Sequence, residues 1–153
     1  LDAVFCREPV LLPASYVFKP LQPDEPVIMA STRHPLAKRR GIALSALKDS
    51  RWVLPTATIA VREIFEREVL AALPDALQFP VSTVSLPVFA SLLNQPDAVA
   101  LVPKSIAPVL PSGAQLCQLD VQLSSPLPPL GVVHRREQIP AMLIRMLKSW
   151  RTK

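Results

Sequence analysis

Apolar residues in this chain fall into short runs whose period changes between prolines. Leu1–Phe5 reads as a short buried strand, and Tyr16–Leu21 alternates as a half-buried strand does. Pro26–Ala30 is continuously apolar, the pattern of a central strand. A turn at Ser31–Pro35 and a basic loop follow. Leu44–Lys48 then fits one helical turn introduced by Ser45. Arg51–Leu54 is a strand stopped by Pro55.

From Thr56 the period becomes helical. Val61, Ile64, Phe65, Val69 and Leu73 share one face. Arg62, Glu63, Glu66 and Arg67 occupy the other, with opposite charges four apart. A threonine hydroxyl at Thr56 or Thr58 suits the cap, and Pro74 ends the helix at Leu73. Phe79–Val84 alternates as a strand. Ser85 is placed to cap a second helix, with Pro87 in its first turn, stopping near Asn94. Ala98–Val102 is a strongly apolar strand closed by Pro103. Lys104–Leu110 gives a short helix interrupted by Pro108. Leu116–Val121 and Gly131–Arg135 are strands. Ile139, Met142, Leu143, Met146, Leu147 and Trp150 form the stripe of a last helix. The alternation in the middle predicts α/β architecture with a largely parallel sheet. The outer pieces, Leu1–Leu21 and Gly131–Lys153, do not repeat it and read as parts of a second layer.

Composition narrows the chemistry. Half of the 153 residues are hydrophobic, enough for a substantial core. The 18 prolines are dispersed as punctuation, and the 3 glycines stand alone. Phosphate-cradling loops need several glycines close together, so the dinucleotide fingerprint and the P-loop are excluded. Cys6 and Cys117 make no metal-ligand pair; they read as buried free thiols, with a disulfide left open by sequence alone. The net charge of +5 is divided among Arg33/Lys38–Arg40, His134–Arg136 and Arg145–Lys153, without interleaved aromatics, and reads as solvated surface. No apolar run reaches the length of a membrane span and no signal peptide is visible.

The catalytic search is negative. His34 and His134 have no cysteine or carboxylate at metal spacing, and no serine sits in a nucleophile elbow. The acidic pairs Asp24-Glu25 and Glu63/Glu66 read as loop or helix-surface residues. No enzyme activity, metal or cofactor is expected. Two places remain suggestive. Thr56 and Thr58 stand where a strand gives way to a helix; they either cap it or also hold a carboxylate or phosphate. Arg7, after the first strand, pairs with an acid, binds an anion or is solvated.

Five segments together resemble one family. "LDAVFCREP" resembles a strand of the form L-D-x-x-x-x-R, and "YVFKPLQPDEPVIMASTRHPLA" is similar to paired strands ending in H-P-L-A. "ALSALKDSRWVLPTAT" resembles L-x-D-L-x-x-x-x-W-V-L-P before a helix. "DAVALVPKSIAPVL" resembles V-A-L-L-P-x-S, and "PLGVVHRRE" resembles G-L-V-x-R-R before the last helix. These are the pieces, in order, of the effector-binding domain of LysR-type transcriptional regulators. One departure is Asn94–Ala98, where many members carry A-A-G-x-G.

The resemblance implies a periplasmic-binding-protein-like domain of two α/β lobes with a small molecule between them. It assigns residues 1–31 to later strands of lobe I and the first crossover. Lobe II, read as complete, takes 32–122, and the second crossover with the C-terminal helix takes 123–153. Lobe I is then partial, with its early strands and the DNA-binding domain outside this chain. The implied effector contacts are Thr56, Thr58, Arg7, Leu130 and Glu25, suiting a small carboxylate-bearing metabolite. The implied partners are that effector, further copies of the parent as dimer or tetramer, and DNA only through the N-terminal domain. No membrane is expected, and the location is cytoplasmic. A solute-binding protein of a transporter and a small enzyme of the same fold class are the alternatives. If the chain exists alone, Leu1–Phe5 is expected to be disordered or to pair with another copy.

Overall fold

The structure, a computed structural model, describes residues 3–54, 60–110, 115–137, 141, 144 and 145. In chain order its strands are β1 (Ala3–Arg7), β2 (Tyr16–Gln22), β3 (Pro26–Ser31), β4 (Arg51–Leu54), β5 (Gln78–Ser82), β6 (Ala98–Pro103), β7 (Leu116–Leu119) and β8 (Leu130–Arg135). Helices α1 (Ala60–Ile64), α2 (Leu70–Ala72) and α3 (Leu86–Leu93) lie between β4 and β6. The chain divides into two compact units. One is Leu1–Asp24 with Pro128–Lys153, and the other is Glu25–Leu127.

The first unit is built on an antiparallel sheet of order β1-β8-β2. Its apolar interior is small: Val132 is fully buried, with Ala3 and Leu21 packed against it. The expectation that Leu1–Phe5 is buried fails for its described part. β1 pairs only with β8, and Val4 and Phe5 are 43% and 50% exposed. Successive strand side chains point to opposite faces, so neither face of the β1 edge is well covered among the described residues. The register carries Ala3–Arg7 against His134–Leu130.

The second unit holds a five-stranded sheet of order β5-β4-β6-β3-β7. As expected, the sheet is largely parallel: β4, β5, β6 and β7 run the same way, and β3 alone is reversed. β4 runs parallel to β5 and β6, whereas β3 runs antiparallel to β6 and β7. The physical cause lies in the β3–β4 connection, which carries a single 3-10 turn at Leu44–Leu47 and no crossover helix. β6, at the centre, is buried at every position. One face of the sheet packs Trp52, Leu54 and Leu101 against Val61, Ile64, Phe65 and Val69. The other packs Val53, Ala100 and Val102 against Phe89 and Leu93 of α3. The helical face predicted over Val61–Leu73 is the one that is buried.

Three local expectations change. The first helix is not uniformly α: a π-helical turn at Phe65–Val69 separates α1 from α2. Neither Ser45 nor Ser85 caps through its side chain; Ala43 precedes the 3-10 turn, and Ser85 precedes α3 without a side-chain bond. The Lys104–Leu110 helix contracts to a 3-10 turn at Ala107–Val109, as Pro108 removes a donor. Ala141, Ile144 and Arg145 are helical. The rest of the predicted C-terminal stripe lies outside the described residues. Both cysteines are free and half-buried, and burial pushes the Cys117 thiol up.

Candidate functional site

In the first unit, β1 ends on Arg7, and antiparallel register sets Leu130 directly across from it. Two residues singled out separately in the sequence are therefore cross-strand neighbours. Leu130 also faces Gln22 on its other side, after a bulge between Pro20 and Gln22. The guanidinium of Arg7 donates from Nη2 to Asp24 Oδ2 at 2.7 Å and from Nη1 to the Pro128 carbonyl at 2.8 Å. The Glu8 N–H adds a bond to the Pro129 carbonyl. Three stretches distant in sequence are thus tied at one point: the end of β1, the segment between β2 and β3, and Pro128-Pro129.

Of the three roles open to Arg7, pairing with an acid is the one observed. Its side chain is 20% exposed and that of Asp24 is 1% exposed. Asp24 lies in the loop between β2 and β3, in line with its reading as a loop residue, but its side chain is buried. Its burial follows from the pairing, because a carboxylate leaves water only when a cation and hydrogen bonds replace it. These two bonds use two of the five N–H donors of Arg7, and a planar fork of this kind suits a carboxylate. At the opposite ends of β2 and β8, Ala14–Tyr16 and Arg135–Glu137 line a surface cavity of about 410 Å³.

In the second unit the strand directions define an edge. β4, β5 and β6 are parallel, so their C-terminal ends at Leu54, Ser82 and Pro103 emerge on one side of the sheet. Antiparallel β3 starts there, and Glu25 precedes it. The Lys104 N–H donates to the Glu25 carbonyl at 2.8 Å, and Lys104 Nζ lies 2.5 Å from Glu25 Oε1. Both side chains are more than half exposed. Glu25 thus stands at the edge of the sheet, the carboxyl ends of the strands, where open α/β folds usually bind ligands, and it is ion-paired. β4 ends at Leu54 on this edge, and the next described residue is Ala60, at the start of α1. Thr56 and Thr58, the predicted hydroxyl contacts, lie outside the described residues.

Sequence reasoning missed Asp24 as the partner of Arg7 and Lys104 as the partner of Glu25. The place of Asp24 in a loop was visible, but its burial was not. No group of three or more His, Cys, Asp or Glu side chains that could hold a metal occurs among the described residues. None of the described helices is long and apolar enough to cross a membrane.

Comparison with solved structures returns regulatory domains. The regulatory domain of CcmR from Synechocystis PCC6803, in complex with 2-PG, superposes with a TM-score of 0.76 at 16% identity, covering 99% of this chain and 72% of that one. HinK, a LysR family transcriptional regulator from Pseudomonas aeruginosa, gives 0.75 at 15% identity, covering 97% and 51%. The effector binding domain of QuiR, in complex with shikimate, gives 0.69 at 17%, covering 97% and 69%. At these identities the likeness is one of fold, and the chain spans about half the length of HinK. Comparison with curated proteins finds no match. The LysR substrate binding domain family matches residues 1–150, and the chain belongs to it.

Proposed function

We propose that this chain is the effector-sensing part of a bacterial LysR-type transcription regulator and binds a small carboxylate-bearing metabolite. The observation that carries the reading is the edge where β4, β5 and β6 end together and residues 55–59 lead into a helix. Backbone N–H groups at a helix start and the hydroxyls of Thr56 and Thr58 suit an anion. Arg7, Leu130 and Glu25 are the other residues proposed to meet the effector. The Arg7–Asp24 pair shapes that role: Arg7 is already fixed in direction, so it loses little freedom when a carboxylate takes its remaining donors. Two neighbours of the fold carry small organic ligands, 2-PG and shikimate, in agreement with an effector of that size.

Binding involves no reaction. The effector favours one conformation of the domain by its differential affinity, and the parent's DNA-binding part reads the difference. Self-association of the parent and a cytoplasmic location belong to the same reading. The family match favours the regulator over the solute-binding protein of a transporter. Screening small carboxylates by thermal shift tests it. A stabilising ligand whose effect is lost in Thr58→Ala supports the site; binding that is indifferent to Thr58 and Arg7 contradicts it.

A further inference from the structure

The helix that begins at Ala60 makes a bond to a distant part of its own unit. Glu68 lies in the π-helical turn Phe65–Val69, about two turns beyond the start of α1. Its carboxylate accepts the backbone N–H of Ser124 at Oε1 (2.5 Å) and that of Ser125 at Oε2 (3.0 Å). Both serines belong to the segment between Val121 and Leu130, read as the second crossover, which pairs with no strand among the described residues. Pro126, Pro128 and Pro129 have no N–H to offer a ladder. Two consecutive donors in such a segment need an acceptor from elsewhere, and one carboxylate supplies it for both. Leu123 and the buried Leu127, on either side of the serines, pack into the apolar cluster beneath the helix.

The electrostatics agree with this assignment. Partial burial pushes the Glu68 carboxyl up, but the Ser124 and Ser125 hydrogen bonds and neighbouring Arg67 more than offset it. The acid is therefore held below the usual range. Other acids on the same helix do something different. Glu66 pairs locally with Arg62, four residues earlier on the helix.

We propose that Glu68 is a latch that ties the helix beginning at Ala60 to the second crossover, so that a change at residues 55–59 is transmitted along the helix to the segment carrying Ser124 and Ser125. The transmission rests on the reading of residues 55–59 as the effector loop. The latch itself rests on the two hydrogen bonds. Glu68 touches no effector and acts as a positioning residue. The helix is short and packed along one face, so its two ends move together more readily than its middle deforms. A π-helical turn, a departure often found at functional sites, places the acid.

Amide hydrogen exchange at Ser124 and Ser125 in the isotope-labelled chain, at constant neutral pH, tests both parts without any ligand. Glu68→Gln should accelerate exchange at these two amides by about tenfold, whereas Glu66→Gln leaves them unchanged. Unchanged protection in Glu68→Gln overturns the latch. Should Glu68→Gln fail to fold, Glu68→Asp keeps the charge but loses the reach of one methylene, and the same acceleration is expected. For transmission, Thr58→Ala should shift exchange at Ser124 and Ser125 when Glu68 is present and leave it unshifted in Glu68→Gln. An equal shift in both backgrounds, or none in either, overturns transmission. The effector reading fails separately, on the ligand titration.

Discussion

Two ion pairs of similar length differ in consequence because of where they sit. Arg7–Asp24 holds a carboxylate that is almost wholly out of water, whereas Arg51–Asp97, at 2.6 Å, is 40% and 44% exposed. Removing one partner of a buried pair leaves a charge without its compensation and costs about 3 kcal/mol, while exposed pairs contribute about 1 kcal/mol or less. Arg7→Ala should therefore lower the denaturation midpoint well below that of Asp97→Asn in chemical unfolding. Equal midpoints would show that Asp24 does not depend on Arg7. His34 gives a pH signature. It is 5% exposed, its Nε2 lies 3.2 Å from Ser50 Oγ, and its Nδ1 accepts the Leu36 N–H at 3.1 Å. Burial pushes its pKa below the ordinary value of 6.5, only partly opposed by nearby Asp97. The folded state then binds fewer protons than the unfolded one. The stabilisation is full above about pH 6.5 and is lost as pH falls toward the folded value, at up to about 1.4 kcal/mol per pH unit. Unfolding between pH 7 and 5 should show this slope in the native chain and a shallower one in His34→Gln; an identical slope would remove His34 as the cause.

Among the elements, β8 is the one that holds the first unit together, since both β1 and β2 pair with it. Gly131 lets Phe18 and the Lys19 carbonyl approach: a Cβ built there would collide with both. Gly131→Ala should cost about 1–3 kcal/mol by overpacking. Loss of the Phe18 and Val133 cross-strand contacts in NMR should accompany it; wild-type stability with those contacts kept would contradict the close approach. Most elements were legible in the sequence because period and punctuation are local. β3, β4 and β6 stand where their apolar runs predicted, and Pro74 and Asn94 lie at helix ends. What was not legible depends on partners. The direction of β3 and the exposure of Val4 and Phe5 follow from tertiary pairing. Of the site, Arg7 stood out by its place after the first strand and Leu130 by family resemblance, but their register and the buried Asp24 required the fold. Glu68 carried only the signal of a helix-surface acid.

At the scale of the whole molecule, the unit Glu25–Leu127 has an apolar layer on each face of its sheet, and the unit Leu1–Asp24 with Pro128–Lys153 has little described core. The chain passes from one unit to the other at Asp24/Glu25 and again at Leu127/Pro128. The residues that organise those passages are the ones that matter here: Arg7 with Asp24 and the Pro128 carbonyl, Glu25 with Lys104, and Glu68 with Ser124 and Ser125. An effector sensor of this family needs its ligand residues and its connecting strands to be energetically linked, and a ligand that binds only the folded state stabilises it by about 2.7 kcal/mol at one hundred times its Kd. The most direct measurement is therefore a thermal-shift titration of the chain with small carboxylates, beginning with shikimate and 2-PG, in parallel with Thr58→Ala. The account predicts that at least one carboxylate raises Tm in a saturable way and that Thr58→Ala weakens the response. No rise with any carboxylate up to millimolar concentration, or an undiminished rise in Thr58→Ala, would contradict it.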